Sequence, residues 1–328
     1  MVTIKEIART AGVSISTVSS VINNPDGGCK ASFSTRERIL RIASELDYQP
    51  SKYARGLRAG RSYLLAYIGS GLFTSMSAAA LVGAEQHAHR HGYSLVMTSY
   101  SDFADCSRRI RQLMRNRIDG MIFSDYMSPE YAELFMEISQ RIPVVNLFHH
   151  SPLDDVRSVF VDGAAIGVCA AEYLFRLGHR KILILGPRPQ CCEAFKACFN
   201  ALCGRSGTIF HFPESMTFSD GGQVWDRMQQ EGLDVSAVYA YDDHNAAGVI
   251  NAALRDGRKL PEELSVLGTD NYQFCQMMYP KLSTIAQPQE EQGAKAVELL
   301  LKIIRKSEPV KDAILQPSLI ERDSCCSM

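Results

Sequence analysis

The stretch EIARTAGVSISTVSSVINN, residues 6–24, decides the fold of the amino-terminal part of the chain. Its apolar residues recur at helical spacing on both sides of Gly12, and glycine readily adopts the left-handed conformation that ends a helix. Ser14 follows as a helix N-cap, so a second helix is predicted to begin at Ile15 and to end near Ile22. The stretch therefore predicts two short helices that meet at a tight turn.

Capping signals bound the helices of this region. Thr3 and Glu6 have the spacing of a capping box, in which each side chain accepts a hydrogen bond from the other residue's backbone N–H. Ser32 precedes a third helix as another capping residue. The residues of that helix predicted to face inward are Ile39, Ile42, Ala43 and Leu46. Two helices joined by a glycine-containing turn, with a third helix to complete the core, predict a helix-turn-helix domain.

The charge of this region indicates a polyanionic partner. The chain of 328 residues has a formal net charge of −1, but residues 1–62 hold ten Lys or Arg and five Asp or Glu, which leaves +5 here and −6 on the remainder. A basic arm on an acidic body favours nucleic acid as the partner of the arm. Because the excess is modest, a merely solvated basic surface is the alternative. No Lys or Arg lies between Arg9 and Lys30, so the second helix itself carries no basic side chain.

Composition limits the class of protein. Hydrophobic residues make up 46% of the chain, which allows a large core. No apolar run approaches the roughly 18 residues of a membrane span, and the first ten residues lack a signal-peptide pattern, so we expect a cytoplasmic protein without membrane contact. Ten cysteines at irregular spacing predict reduced thiols rather than a metal or redox site, and no cofactor is expected. Their densest cluster is Cys191, Cys192, Cys198 and Cys203.

Residues 62–328 alternate short apolar runs with helical patterns. The runs are YLLAYIGS, YSLVMTS, DGMIFSD, PVVNLF, SVFVD, KILILG, TIFHFP, AVYAYDD, LSVLGTD and LSTIAQP. This alternation predicts an α/β body with helix-covered parallel sheets, in two halves near residues 62–160 and 161–290. A small ligand is expected in the cleft at the carboxyl ends of the strands. No catalytic constellation stands out, and His149-His150 is interpreted as a loop feature, so no enzyme is predicted.

Several motifs together resemble a known family. TIKEIARTAGVSISTVSSVIN (residues 3–23), STRERILRIASELDYQPSKYARGLRAGRS (34–62), LGHRKI (177–182) and IERDS (320–324) are similar to the LacI/GalR family of bacterial transcription regulators. The resemblance covers the whole chain. It implies an all-α helix-turn-helix DNA-binding domain (1–48), a hinge helix or linker (49–61), and an α/β two-lobed periplasmic-binding-protein-like domain for effector binding and dimerisation (62–328). The implied partners are a double-stranded DNA operator, a small-molecule effector and a second copy in a homodimer.

In this family the second helix lies in the major groove, and three of its positions face base edges. They correspond here to Ile15, Ser16 and Ser20. Relatives usually have arginine at the last position, where a bidentate arginine–guanine pair discriminates by about 1–3 kcal/mol; serine cannot make that pair. We therefore expect a weaker or differently directed base readout, with phosphate contacts supplying affinity. The candidate phosphate contacts are Thr3, Lys5, Arg9, Ser14, Ser19, Lys30 and Arg55.

Two segments around the third helix complete the implied DNA-binding surface. After Pro50, SKYARGLRAGR is too short and too charged to be a stable helix alone, and in the family the matching segment folds on operator DNA. Its leucine, Leu57, is expected to wedge into the minor groove, with Ala54 and Arg55 as neighbouring contacts; a plain interdomain linker is the alternative. The loop at residues 23–30 is longer than the usual family turn, either as a tolerated insertion or to reach an extra phosphate.

The effector positions match the family only in part. Asp242 and Asp270 stand where relatives carry Asn or Asp, and their carboxylates can accept hydrogen bonds from sugar hydroxyls, although Asp242 could equally cap the next helix. Other positions depart from the pattern, since a family arginine corresponds to Cys191, cleft aromatics to Ser75 and Met76, and a stacking aromatic to Thr217 with Phe218 beside it. These losses argue against an ordinary hexose effector, so the expected ligand is sugar-like or atypical, and the absence of a small-molecule ligand stays open.

The overall prediction is a repressor that binds a pseudo-palindromic operator as a dimer. A sugar-binding transport protein shares the two-lobed body, but it would need a signal peptide and no DNA-binding arm. A family repressor without a small-molecule effector, controlled by a protein corepressor or constitutive, is the alternative that stays open.

Overall fold

The computed structural model describes residues 2–23, 31–48, 60–71, 75–213, 218–306 and 309–328. Within these ranges, the side chains of residues 23, 75, 205 and 218–220 are not described. The chain divides into two compact units, Met1–Tyr63 and Leu64–Met328.

Three helices form the first unit. They are α1 (Ile4–Ala11), α2 (Ile15–Asn23) and α3 (Phe33–Glu45). One small apolar core draws on all three, and its buried members are Ile7, Ala8, Ala11, Val18, Val21, Ile39 and Ile42. The inward positions predicted for α3 are confirmed at Ile39 and Ile42. The prediction for Leu46 is wrong, because α3 ends at Glu45 and Leu46 is its C-cap residue, with 37% of its surface exposed.

The capping signals of the sequence appear as hydrogen bonds. The backbone N–H of Thr3 donates to the Glu6 carboxylate at 2.7 Å, and the Thr3 hydroxyl donates to the same carboxylate at 3.1 Å. Gly12 ends α1 in the left-handed conformation with φ of 66°. Ser14 Oγ accepts from the backbone N–H of Thr17 at 3.1 Å, as an N-cap of α2 does. These local bonds fix the turn between the two helices.

The second unit contains two six-stranded sheets. The strands of the first sheet are β1 (Leu64–Ile68), β2 (Ser94–Thr98), β3 (Gly120–Phe123), β4 (Val144–Leu147), β5 (Arg157–Val161) and β11 (Ala313–Leu315). Those of the second are β6 (Lys181–Leu185), β7 (Thr208–Phe212), β8 (Ala237–Ala240), β9 (Ser265–Asp270), β10 (Ser283–Ala286) and β12 (Ser318–Ile320). Their orders are β11-β5-β4-β3-β1-β2 and β12-β10-β9-β8-β6-β7, and every pairing is parallel except β10 with β12. Each of the ten predicted apolar runs contains one strand.

Helices cover these sheets to form two lobes. The first lobe holds α4 (Ser75–Arg90), α5 (Phe103–Arg115), α6 (Pro129–Ser139) and α11 (Gln289–Arg305), and the second holds α7 (Gly163–Arg176), α8 (Pro189–Cys203), α9 (Phe218–Gln230) and α10 (Asp243–Arg255). Two 3₁₀ turns lie at Gly204–Ser206 and Gln273–Gln276. The chain thus returns to the first lobe through α11 and β11 after building the second. Among the described helices, none has the length and hydrophobicity to span a membrane.

The return of the chain depends on two glycines. Helix α11 packs along α4, and a Cβ atom on Gly293 would lie 1.7 Å from the carbonyl oxygen of Ala80. A Cβ atom on Gly83 would lie 1.9 Å from the carbonyl oxygen of Glu290. The two helix backbones therefore touch at positions where any side chain would force them apart.

Replacement of one of these glycines tests the helix contact. We expect Gly293→Ala to lower the free energy of unfolding by about 1–3 kcal/mol, the usual cost of overpacking a close contact. Gly222→Ala is the matched control, because Gly222 lies in α9 and an added Cβ atom would meet no described atom within 4 Å. Alanine should there be neutral or stabilising by up to about 1 kcal/mol. Denaturant unfolding of both variants gives the comparison; equal effects would contradict the contact.

Candidate functional site

The outward face of α2 is apolar and hydroxylic. Ile15 has 41% of its surface exposed, Ser16 is exposed and Ser20 is half-buried, whereas Val18 and Val21 are fully buried on the opposite face. The three positions predicted to read bases therefore lie on the surface. Such a face suits contact with a thymine methyl group and single hydrogen bonds to base edges.

The amino end of α2 carries a cluster of hydroxyl groups. Ser14 Oγ lies 2.7 Å from Ser16 Oγ and 2.8 Å from Thr17 Oγ1. A helix amino terminus has a partial positive charge and backbone N–H groups that favour phosphate. The helix can thus attract a phosphate without a basic side chain.

The other predicted phosphate contacts differ in accessibility. Thr3, Lys5 and Arg9 are exposed on or beside α1. Ser19 retains only 5% of its surface, because it lies on the inner side of α2, so its hydroxyl is poorly placed for a phosphate. Lys30, Ala54, Arg55 and Leu57 lie outside the described residues.

In the first lobe, one carboxylate joins the carboxyl ends of three strands. Asp125 follows β3 and accepts hydrogen bonds from the Ser70 backbone N–H at 2.5 Å and hydroxyl at 3.0 Å. It also accepts from the Tyr100 hydroxyl at 2.5 Å. Ser70 and Tyr100 follow β1 and β2, so Asp125 fixes this edge of the first sheet.

His149 extends this edge beyond β4. The Asn146 side chain donates to the His149 carbonyl oxygen at 2.8 Å, and the His149 ring lies edge-on to Tyr126 with centroids 5.8 Å apart. Burial, together with the positive charge of Arg188, lowers the pKa of His149 to about 4, although Asp125 opposes this. His149 is therefore neutral at physiological pH. Because Arg188 belongs to the second lobe, this influence indicates that the strand ends of the two lobes lie close enough for their charges to interact.

Arg188 follows β6 and precedes α8, which begins at Pro189. One guanidinium nitrogen donates to the Tyr241 hydroxyl at 3.0 Å, and the group lies over the Tyr241 ring, 4.5 Å from its centroid. Burial would lower the pKa of Arg188, but Tyr241 and Asp270 outweigh burial and raise it, so the group stays charged. Within the described residues Arg188 forms no ion pair, and its remaining N–H groups are available to a ligand.

Asp270 ends β9 at the same cleft. Only 5% of its surface is exposed, and its carboxylate accepts a hydrogen bond from the Gln287 side chain. Burial and the nearby Asp242 raise its pKa to about 6, although Arg188 opposes this. Its backbone has φ of 102°, a left-handed conformation that is strained for aspartate.

The strained turn is held by the end of the chain. Asn271, the next residue, also has a positive φ of 58°. Arg322, in the IERDS motif, donates to the Asn271 side-chain oxygen and to the Leu282 carbonyl oxygen, each at 2.6 Å. The motif therefore has a structural role, because it fixes the turn that presents Asp270.

Asp242 and Asp243 have separate roles. Asp242 Oδ1 accepts from the backbone N–H of His244 at 2.7 Å, so the capping alternative describes its geometry. Asp243 is fully buried and accepts from the Thr284 hydroxyl at 2.7 Å and the Tyr272 backbone N–H at 2.9 Å. Asp270 is consequently the better candidate for ligand contact.

The remaining predicted effector residues fall in three groups. Met76, at the start of α4 in the first lobe, packs against the apolar core of the second lobe. Ser75 and Phe218 begin α4 and α9, but their side chains are not described, and Thr217 lies outside the described residues. Cys191 is fully buried, with its sulfur 3.2 Å from the Tyr239 hydroxyl, so its predicted place in the cleft is wrong.

Three cleft residues escaped the sequence argument. Counting back from the aromatic of α8 placed Cys191 at the family's arginine position, but the turn before α8 is short and Arg188 occupies the cleft instead. Asp125 and His149 each follow a predicted strand, and this position in the sequence could have identified them as residues at the strand ends. His149 does lie in the loop after β4, as the sequence suggested, and that loop brings it within electrostatic reach of Arg188.

Neither metal nor disulfide chemistry is visible in the described ranges. They contain no group of three His, Cys, Asp or Glu side chains placed to hold a metal ion. The nine cysteines within them are free thiols.

Comparison with known proteins identifies the family. Residues 3–51 match the model of "Bacterial regulatory proteins, lacI family", and residues 171–325 match a "Periplasmic binding protein-like domain". The chain is 30% identical over 336 residues to the "Ribose operon repressor" of Haemophilus influenzae, covering 100% of both chains. It is also 30% identical over 316 residues to the "HTH-type transcriptional repressor CytR" of Escherichia coli (strain K12), covering 91% of this chain and 89% of that one.

A solved structure supports the same fold. The lac repressor dimer bound to operator and the anti-inducer ONPF aligns with a TM-score of 0.82 at 24% identity, over 99% of each chain. The chain belongs to the lacI family of bacterial regulatory proteins. It is a DNA-binding transcriptional regulator with a helix-turn-helix unit and a two-lobed α/β unit.

The buried carboxyl groups predict a pH dependence of stability. The pKa values of Asp243 and Asp270 are raised to about 7 and about 6, above the usual value of about 3.9. The folded state therefore binds these protons more tightly than the unfolded state, and the stability that they contribute is lost as the pH rises through this window. Asp270→Asn should weaken the fall in melting temperature between pH 5 and pH 8.

The matched control for this measurement is Asp256→Asn. Hydrogen bonds from Arg255 and Trp225 lower the pKa of Asp256 to about 2, so this group does not titrate between pH 5 and pH 8. Thermal melts of the control should parallel those of the wild type. An unchanged pH slope in Asp270→Asn would show that Asp270 does not titrate in this range.

Proposed function

We propose that this regulator is a cytoplasmic repressor that binds a pseudo-palindromic operator as a dimer and responds to a sugar-like small molecule in the cleft between its lobes. The proposal is supported by four polar or charged residues at strand ends of the two lobes, Asp125, His149, Arg188 and Asp270, which lie within electrostatic reach of one another in a DNA-binding regulator. The alternative is a repressor without a small-molecule effector, controlled by a protein corepressor or constitutive.

The proposed DNA contacts divide by role. Ile15, Ser16 and Ser20 would face base edges, because they occupy the exposed side of α2. Phosphate contacts would come from the hydroxyl cluster at the amino end of α2, with help from Lys5 and Arg9. The minor-groove wedge expected of Leu57 stays a prediction from the family resemblance. This division assigns affinity mainly to phosphates and specificity to weak direct contacts.

The proposed ligand chemistry follows from the donors and acceptors at the cleft. Carboxylates at Asp270 and Asp125 accept hydrogen bonds, and the guanidinium of Arg188 donates them, which is the combination that binds adjacent hydroxyl groups of a sugar. The rings of Tyr241 and His149 line the same region. Arg188 thus supplies a positive charge of the kind that relatives have at the position of Cys191. The name of the ribose operon repressor, a relative of this chain, supports a carbohydrate as the ligand.

The proposed dimer has a candidate face in the second lobe. Tyr279 and Met277 have 84% and 69% of their surfaces exposed, and Leu254 has 37%. Tyr279 and Leu254 help to line a groove of about 510 Å³, together with Ile250 and Phe274. Exposed apolar surface of this extent is typical of a protein–protein interface. The lac repressor, which shares the fold, forms a dimer on its operator.

Selection of bound sequences from a random duplex pool tests the DNA-binding proposal. At physiological salt we expect a motif with two-fold symmetry, as a dimer requires. Ser20→Arg should add a guanine preference at one position of each half-site, by about tenfold or more, because arginine forms the bidentate pair worth about 1–3 kcal/mol.

Ser34→Arg is the matched control for the selection. Ser34 is exposed on α3, so the substitution adds the same charge to the same unit. It should strengthen binding to all duplexes without changing the motif. Absence of any motif at physiological salt would contradict sequence-specific binding, and a motif without symmetry would contradict the dimer.

Thermal-shift measurements with ribose, hexoses and nucleosides test the effector proposal. A ligand at 100 times its dissociation constant should stabilise the wild type by about 2.7 kcal/mol. Arg188→Ala should abolish this shift while operator binding persists, and Arg188→Lys should restore part of it. Arg258→Ala, at an exposed arginine of the second lobe, is the control and should respond like the wild type. A normal response in Arg188→Ala would remove Arg188 from the site. No response in the wild type would favour the alternative.

A further inference from the structure

Helix α5 ends in an unusually basic segment, SRRIRQLMRNR at residues 107–117. Its first two arginines pair with one carboxylate, since Arg109 donates to Asp105 at 2.9 Å and Arg108 also contacts it. Arg111 donates to the Ser107 hydroxyl at 3.1 Å and forms no ion pair with any described residue. Arg115 has no ion pair in the part of the chain that the structure describes. The positive charge of this helix is thus only partly neutralised.

The remaining arginines border a groove between α5 and α6. We call it the arginine groove; it has a volume of about 430 Å³, and its rim is formed by Arg111, Arg115 and Arg141. Its apolar lining comes from Ile110, Met114, Leu134 and Ile138. The rim carries one acid, Glu137, which pairs with Arg141 at 2.8 Å. The surface therefore combines an apolar floor with a net positive rim.

The arginine groove is separate from the effector cleft. Helix α5 follows the carboxyl end of β2 and runs back along the sheet, so Arg111 and Arg115 lie toward the amino ends of the strands. Arg141 lies just past the end of α6, which runs in the same sense. The cleft residues occupy the opposite, carboxyl edge of the first sheet. A molecule bound in the groove would act independently of the effector.

Nothing in the lobe itself explains this arrangement. Arg111 and Arg115 are four residues apart on one helix, where like charges destabilise by about 0.2–0.5 kcal/mol. Both are exposed, and neither supports the core. Arginine beside methionine and leucine is the composition enriched at protein interfaces, because its planar group binds carboxylates and its stem packs on apolar surface.

We propose that the arginine groove binds an acidic amphipathic segment of a protein partner, which gives the regulator an input beyond its proposed effector. Carboxylates of the segment pair with Arg111 and Arg115, and its leucine or similar side chains fill the apolar floor. The two arginines are separated by about 6 Å along α5, one helical turn, which matches carboxylates at positions i and i+4 of a partner helix. A protein is favoured over nucleic acid, because phosphates would leave the apolar lining unfilled.

Fluorescence anisotropy with a labelled helical peptide tests this proposal on the full-length chain. The probe carries glutamates at i and i+4 beside a stripe of leucines, and its partner probe has the same residues in scrambled order. The wild type should bind the ordered peptide at least fivefold more tightly than the scrambled one. Arg111→Glu combined with Arg115→Glu should weaken that binding at least tenfold.

The matched control combines Arg90→Glu with Arg305→Glu. These arginines are exposed on α4 and α11 of the same lobe, so the control changes the net charge equally. It should alter peptide affinity by less than twofold. Circular dichroism and operator binding should be unchanged in both variants, which separates this test from that of the DNA-binding proposal.

Three results would overturn the proposal. The first is failure of the wild type to distinguish the ordered from the scrambled peptide. The second is equal weakening in the two double variants, which would mean that general charge attracts the peptide. The third is a selective loss of binding to duplex DNA in the Arg111 and Arg115 variant with peptide binding intact, which would assign the arginines to nucleic acid.

Discussion

The backbone contact between α4 and α11 is the constraint on which the two-lobed unit depends. It exists because Gly83 and Gly293 leave no side chain between the helices. Helix α11 also begins beside the cleft, where the side chain of Gln289 donates to the Asp270 carbonyl oxygen at 2.7 Å. Helix α4 in turn places Met76 against the core of the second lobe. Asp270 is therefore connected to the first lobe by a continuous series of packed and hydrogen-bonded elements.

The proposed effector would act by shifting the balance between lobe positions. Asp270 is held with a strained backbone and a raised pKa, and Arg188 keeps its charge while donating a hydrogen bond to Tyr241. Both groups belong to the second lobe, so a ligand that pairs with them would bridge the lobes only by also reaching Asp125 or His149 of the first lobe. Such a ligand stabilises the lobe arrangement in which its contacts are complete, and it shifts the population by no more than its difference in affinity.

The sequence predicted this fold where local signals agree with tertiary packing. Ten apolar runs became strands, and the turn at Gly12 formed with the expected caps, because hydrophobic period and capping are properties of a few neighbouring residues. The cleft was predicted less well, since the direction of a side chain depends on loop length and on packing. Cys191 turned inward to Tyr239 because α8 starts directly after a short turn, and that turn exposed Arg188 instead. The inward position predicted for Leu46 was wrong because α3 ends one residue before it.

The free energy that an arginine-free α2 forgoes at the bases is similar in size to the free energy by which an effector commonly controls DNA binding. If position 20 faces a base edge, as proposed, serine there forgoes an arginine–guanine pair worth about 1–3 kcal/mol per half-site. Allosteric coupling energies are commonly of the same size, about 1–3 kcal/mol. When direct base contacts contribute little, the total free energy of specific operator binding is small. A coupling free energy of ordinary size is then a larger fraction of that total. On the proposed DNA contacts, a hydroxylic helix such as α2 would draw on phosphates and its own amino terminus, and the regulator would respond more strongly to its proposed effector than one anchored by arginine.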